Sequence, residues 1–300
     1  MWIKSLELTR ERRWTSYLKS ILKPWPARVE RTLVESDKPI RVVFVGMGRH
    51  AQRRFLPAIS GIAGFSVESA VVRWNFPAPP FSVRCTTNLD EELLDPKIQA
   101  AVVSVPTSII AQISALCLAS GMHVYSECPA ALSAGDLRLL ERASARGGHP
   151  VFQVGYQLRA LPDIRTLAGR LRSSPAWTLD VSFHSIYHLC DLMSFLAGSG
   201  RPQSVRAISR NELKLVFSSD RVVRMTLAPG PLVIRAEISG IDPIVLEIGS
   251  GAEPENYRGG FLNFESAVRG REPSLCSLAD LENTLSIYSA VRFRRLIRTP

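Results

Sequence analysis

Apolar residues run from Ile40 to Val45, broken only by Arg41, and stop at a glycine turn. A run without polar alternation is the mark of a strand covered on both faces, as in a parallel sheet. Helical spacing follows through Ala58, and Phe65–Val72 reads as a second strand. Asp90–Leu94 predicts a short helix and Ala100–Val105 a third strand. Ile109–Ser120 predicts a helix closed by Gly121, a common residue just past a helix end. A fourth strand starts at Val124–Tyr125, a helix covers Ser133–Arg146 before Gly147 and Gly148, and Val151–Val154 is a fifth strand. Strands alternating with helices of this length predict a doubly wound parallel sheet.

After Gly155 the pattern changes. A helix at about 160–172 leads to a strand at Thr178–Phe183 and a helix at Ile186–Leu196. Period-two runs follow at Ser204–Ser209, Glu212–Phe217, Val222–Leu227, Val233–Ile238 and Ile244–Ile248, and a last helix covers Leu278–Arg295. Close spacing and turn residues between them predict a mainly antiparallel sheet. The expected fold class is α/β: a Rossmann dinucleotide-binding domain at 39–155, followed by an α+β domain with a mainly antiparallel sheet at 156–300. The second domain is expected to bind substrate and to form a homo-oligomer through its sheet. Residues 1–38 hold nine Lys or Arg and five Asp or Glu and form a basic accessory segment. Within it, residues 5–22 suit an amphipathic helix with Leu6, Leu18, Ile21 and Leu22 on one side.

Composition narrows the class. The 300 residues are 46% hydrophobic and 21% charged, which suits a globular chain. No apolar run approaches the ~20 residues of a membrane span. Charged residues from Lys4 to Arg13 argue against a signal peptide. The five cysteines are scattered, with no Cys-x-x-Cys pair, so we expect reduced thiols, no structural metal and a cytoplasmic protein. The net charge of +10 is spread along the chain without a nucleic-acid motif. It favours anionic small molecules over nucleic acid.

The chemistry begins at Gly46-Met47-Gly48-Arg49-His50-Ala51, set between a strand and a helix. Gly46 permits a tight turn, Gly48 lets the backbone approach a pyrophosphate, and the small Ala51 lets helix and strand pack closely. The second strand ends in Arg73 with no acidic residue to take a ribose hydroxyl. Arg73 can pair with a 2′-phosphate, which favours NADP over NAD.

These residues, with Leu94–Pro106, Ala119–Pro129, Val154–Arg159, His188-Leu-Cys-Asp191 and Phe264–Pro273, resemble the Gfo/Idh/MocA family over about residues 40–296. The resemblance implies an NAD(P)-dependent oxidoreductase acting on a hydroxyl or keto group of a sugar-like molecule. It implies cofactor contacts from Gly46, Met47, Gly48, Arg49, His50, Arg73, Pro106, Glu127 and Cys128. It also implies catalytic roles for His188, as acid and base, and Asp191, as its orienting partner or a ligand of a substrate hydroxyl. The family places Glu-Lys-Pro where this chain has Glu127-Cys128-Pro129, and the expected Asn and His after Pro106 are absent. Only 28 residues separate Arg159 from His188, a shorter stretch than the family has. These departures define an alternative, a catalytically silent nucleotide-binding sensor or partner subunit. His184, four residues before His188, could also form a metal face with His188 and Asp191; we assign no metal.

Overall fold

The computed structural model describes residues 25–72, 83–198, 201–249 and 254–296. The chain forms two compact units. One takes the chain up to Gly155 together with Phe261–Leu278; the other takes Tyr156–Gly260 together with the chain from Ala279 onwards.

The first unit is built on six parallel strands: β1 (Ile40–Val45), β2 (Phe65–Val71), β3 (Arg84–Thr86), β4 (Ala100–Val103), β5 (His123–Ser126) and β6 (Phe152–Val154). Their order is β3-β2-β1-β4-β5-β6, so chain direction across the sheet reverses between β1 and β4. β4 is buried along its length, as its unbroken apolar run predicts. The pattern announces five of these strands. The sixth, β3, is three residues long at the sheet edge, Arg-Cys-Thr, and is too short to show a period.

Helices connect the strands. α1 (Leu56–Ser60) continues without a break from a π-helical turn at Ala51–Phe55. α2 (Leu89–Leu94) is capped by the Asn88 side chain, which accepts from the Glu91 N–H. α3 (Ile110–Ala119) is almost wholly buried. α4 (Ala134–Gly147) starts at Ser133, which accepts from the Asp136 N–H at 3.1 Å, and ends at Gly148 in the left-handed region.

Two further segments complete this unit. Arg31 sends its guanidinium to the backbone oxygens of Leu93, Asp95, Ile98 and Ser120 at 2.7–3.1 Å. These oxygens lie where α2 and α3 end and β4 begins, at the opposite end of the strands from the glycine turn. The amphipathic helix expected at 5–22 lies outside the described residues. Elsewhere, α7 (Pro254–Val268) ends in this unit, and its Phe261 ring stacks on Tyr125 at 4.3 Å. The sequence pattern had not marked this helix, which carries Gly259-Gly260 in its interior, where glycine is unfavourable.

The second unit contains α5 (Pro162–Ser173), β7 (Trp177–Phe183), α6 (Ile186–Leu196), β8 (Ser204–Ala207), β9 (Glu212–Ser218), β10 (Arg221–Leu227), β11 (Leu232–Ile238), β12 (Ile241–Ile248) and most of α8 (Leu278–Leu296). The sheet order is β12-β11-β7-β10-β9-β8, with β7 and β10 parallel and every other neighbouring pair antiparallel. Alternation sends Leu179, Val181, Phe183, Val223 and Met225 into a core with Leu167, Leu189 and Met193 of the helices. Asp180 and Arg224 stand on the other, exposed face, paired at 3.2 Å. This is the α+β layout that the period-two runs predict.

Candidate active site

Three strand ends of the first unit meet at the carboxyl edge of its sheet, at the reversal between β1 and β4. Ligands of open parallel sheets bind at such a point. The backbone ties these ends together. Gly46 N–H donates to Val71 O at 2.9 Å, Ser104 N–H to Val45 O at 2.9 Å, and Glu127 N–H to Val103 O at 2.9 Å.

Each glycine of the turn has a different duty. Gly46 has φ +90°, and a Cβ there would stand 2.2 Å from the backbone oxygen of Ser104. Conformation and close approach both exclude a side chain. A Cβ on Gly48 would meet nothing within 4 Å. The space above Gly48 is therefore open, next to the first turn of a helix whose N–H groups favour an anion. Met47 is buried and its carbonyl accepts from the Gln52 side chain at 2.8 Å, which fixes the turn from below. Arg49 is exposed and His50 half-buried. The residues present fit a dinucleotide diphosphate.

His50 Nδ1 lies 3.7 Å from Oε1 of Glu127, whose other oxygen accepts from Ser104 Oγ. Burial pushes the Glu127 carboxyl upward, while His50 and Ser104 pull it back. Sequence reasoning placed Glu127 and His50 at the cofactor but did not foresee Ser104, which sits one residue beyond β4 and carries no motif of its own. Pro106 and Cys128 are half-buried on the same edge, and the Cys128–Pro129 peptide is cis. Arg73 lies outside the described residues. No disulfide joins any of the five cysteines.

The proposed acid–base pair lies in the second unit. His188 is in the first turns of α6, half-buried, with its ring 5.7 Å from Tyr156 and 6.1 Å from Phe183. Asp191 is one turn on and fully buried. Its Oδ1 lies 2.7 Å from Arg159 Nη2, its Oδ2 3.0 Å from Arg159 Nε, and Thr284 Oγ1 donates to Oδ1 at 3.2 Å. Burial raises the Asp191 carboxyl, and the Arg159 and Thr284 contacts oppose that. The carboxylate takes part in a buried ion pair with Arg159. Arg159 also reaches Asp280 at 3.1 Å.

His184 precedes α6 and is exposed, so it shares no helix face with His188. Among the described residues no cluster of three or more His, Cys, Asp or Glu is arranged for a metal. A groove of about 510 Å³ lined by Arg165, Arg170, Ser173, Ser174, Ser239 and Ile241 contains none of the residues discussed above. No described helix is long and apolar enough to cross a membrane.

Comparison with known proteins agrees with the fold. Residues 40–156 match the profile of the Gfo/Idh/MocA oxidoreductase family, NAD-binding Rossmann fold. Among solved structures, GenD2 from gentamicin A biosynthesis in complex with NAD is similar over 88% of this chain and 96% of its own, with TM-score 0.73 and 16% identity. Myo-inositol 2-dehydrogenase from Lactobacillus plantarum covers 87% of this chain and 98% of its own at TM-score 0.72 and 15% identity. D-galactose-1-dehydrogenase from Rhizobium etli covers 85% and 96% at TM-score 0.69 and 15% identity. At these identities the likeness is one of fold.

Proposed function

Because residues 40–156 carry the NAD-binding Rossmann fold of the Gfo/Idh/MocA oxidoreductase family, we propose that this chain oxidises or reduces a carbon bearing a hydroxyl or keto group on a sugar-like small molecule. The observation that carries the reading is the open cradle over Gly48 at the switch point of the sheet, beside a Gly46 that admits no side chain. Bound nicotinamide dinucleotide supplies the hydride acceptor or donor. The chain's own task is to hold it and to move the accompanying proton. On oxidation, the C–H bond breaks as hydride leaves, and the hydroxyl proton passes to a base.

His188 is the base in this reading. Imidazole gains and loses a proton near neutral pH, and a positioned acid or base contributes about 10²–10⁴-fold. Asp191 acts through structure, fixing α6 against Arg159. Cys128 is a poor substitute for a lysine, because a neutral thiol does not polarise a carbonyl. NADP is the proposed preferred cofactor, on the strength of Arg73. The uncovered charged face of the second sheet is the proposed homo-oligomer surface, and the proposed location is the cytoplasm.

The test is turnover with NAD and NADP against sugars, inositols and sugar acids. His188→Ala should abolish turnover and leave dinucleotide binding intact, and Cys128→Lys should raise activity. Arg73→Asp should reverse the cofactor preference. Tight dinucleotide binding without turnover in the wild type or Cys128→Lys would instead support a silent sensor or partner subunit.

A further inference from the structure

The groove of about 510 Å³ lies wholly within the second unit, and none of its lining residues is assigned to the dinucleotide or to proton transfer. Its size falls within the range of about 300–1,000 Å³ usual for small-molecule sites. One wall is α5; the other is the turn between β11 and β12, with Ser239 and Ile241. At about 100° per residue around a helix axis, Gly169, Ser173 and Thr166 share the middle of one α5 face. Arg165 falls on one side of that face and Arg170 on the other. The floor is therefore made of small residues between two guanidinium groups.

The charge of the groove is uncompensated. Arg165 and Arg170 are exposed, and among the described residues neither side chain forms an ion pair or a hydrogen bond. The Thr166 and Ser239 hydroxyls are likewise unengaged there. Asp163 and Asp242, the acids nearest in sequence, are not among the lining residues. Backbone oxygens at the end of α5, which would repel an anion, are covered by donors. Ser173 Oγ donates to Gly169 O at 3.0 Å. Arg221 donates to Ser174 O at 2.9 Å and to Pro175 O at 3.4 Å, which brings a third positive charge beside the groove.

Gly169 is an independent observation. Glycine weakens a helix interior, yet among the described residues a Cβ here would meet nothing within 4 Å. Packing does not require this glycine; its effect is to keep the floor low, so that a ligand can approach the backbone. Ile241, 42% exposed, is an apolar member of the rim. A matching ligand carries an anionic head for the arginines and an uncharged body for Ile241.

We propose that this groove binds a small phosphate ester, its phosphoryl group held between Arg165 and Arg170 with Thr166 and Ser239 as further donors, and its organic body over Gly169 against Ile241. The planar guanidinium fork matches phosphate oxygens. The site stands independently of the oxidoreductase reading. The same phosphate chemistry is carried by sugar phosphates and by nucleotides, and both enter the test.

Isothermal titration of the full chain uses glucose 6-phosphate, AMP, inorganic phosphate and glucose as probes. At least one ester should bind saturably at one site per chain, and the tighter of the two tells a sugar body from a nucleoside body. Inorganic phosphate should bind more weakly, by roughly threefold or more, because it leaves Ile241 uncovered, and glucose should not bind. Arg165→Gln combined with Arg170→Gln should weaken the ester roughly tenfold or more. Gly169→Leu should weaken it similarly by filling the floor, with an unchanged or higher melting temperature, since leucine is the better helix former. Gly48→Val should leave ester binding as it is, which separates the groove from the dinucleotide edge. No saturable binding of either ester, glucose or inorganic phosphate binding as well as the esters, or affinity unchanged in either groove variant overturns the inference. So does loss of ester binding in Gly48→Val.

Discussion

The Arg159 guanidinium and the Asp191 carboxylate meet with each side chain only 1% exposed, Nη2 to Oδ1 at 2.7 Å. Arg159 lies just after the first strand set and Asp191 lies on α6, so this pair joins segments 32 residues apart inside the second unit. Removing one partner of such a pair typically costs about 3–5 kcal/mol, and Asp280, which also reaches Arg159, places Asp191→Ala at the low end of that range. Asp191→Ala should therefore lower stability by roughly that amount in urea denaturation. The double variant Arg159→Met/Asp191→Leu should recover much of the loss, because it removes both charges of the fully buried pair and leaves without its arginine only Asp280, which is partly exposed. If the double variant is as unstable as the single one, the pair is not the source of the cost.

The two glycines of the turn should respond in opposite ways. Gly46→Ala places a methyl 2.2 Å from Ser104 O at a φ of +90°, so unfolding should become easier by several kcal/mol. Gly48→Val meets open space in the free protein, so stability should change by less than about 1 kcal/mol while dinucleotide affinity collapses. Thermal unfolding and calorimetry on the same two proteins separate the effects. Loss of binding in Gly48→Val accompanied by loss of fold would mean that the space above Gly48 is not the phosphate cradle.

Arg31 concentrates the attachment of the segment before β1. Its guanidinium bonds to four backbone oxygens and to Ser120 Oγ, and burial lowers its pKa to about 10, still charged at neutral pH. Positive charge at two helix ends complements their dipoles. Arg31→Ala leaves those carbonyls short of a donor and should cost about 3 kcal/mol or more. Arg31→Lys should recover only part, since one ammonium cannot span the fork. A chain shortened to begin near Ser36 should fold but carry the same loss; full wild-type stability of that chain would remove Arg31 from the account.

Much of this was legible in the sequence, and the exceptions share a cause. Buried strands such as Ile40–Val45 and the turn at Gly46 declare themselves because local pattern and tertiary role agree. The helix at Pro254–Val268 was hidden because Gly259-Gly260 signals a break, yet Gly259 packs so closely against Ala160 that a Cβ would lie 2.9 Å from that side chain. Ser104 and the Arg159 network were hidden because each acquires its role from residues distant in sequence. Asp191 was singled out by its three-residue spacing from His188, but its ion pair with Arg159, 32 residues away, is visible only in the fold.

His123 gives the last prediction, a loss of stability in acid. Burial and the nearby Arg31 charge lower its pKa from 6.5 to about 4, and its Nδ1 accepts the Val151 N–H at 2.9 Å. A protonated ring loses that acceptor. Between pH 6.5 and about 4 the unfolded chain binds more protons at this site than the folded one, so folded stability falls as pH falls through that window and is fully present above it. The ring is partly exposed, which holds the effect to roughly 1–3 kcal/mol. Asp191 and Glu127, whose carboxyls are raised by burial, act with the opposite sign at the acid end, since the folded state holds their protons more tightly. The net slope is therefore not the histidine's alone, and a variant is needed to isolate it. His123→Asn keeps an acceptor near the position of Nδ1 and removes the titration. Urea denaturation at about pH 7 and about pH 4.5 should show a smaller acid loss in His123→Asn than in the wild type. Equal losses in the two proteins would assign the acid sensitivity to another group.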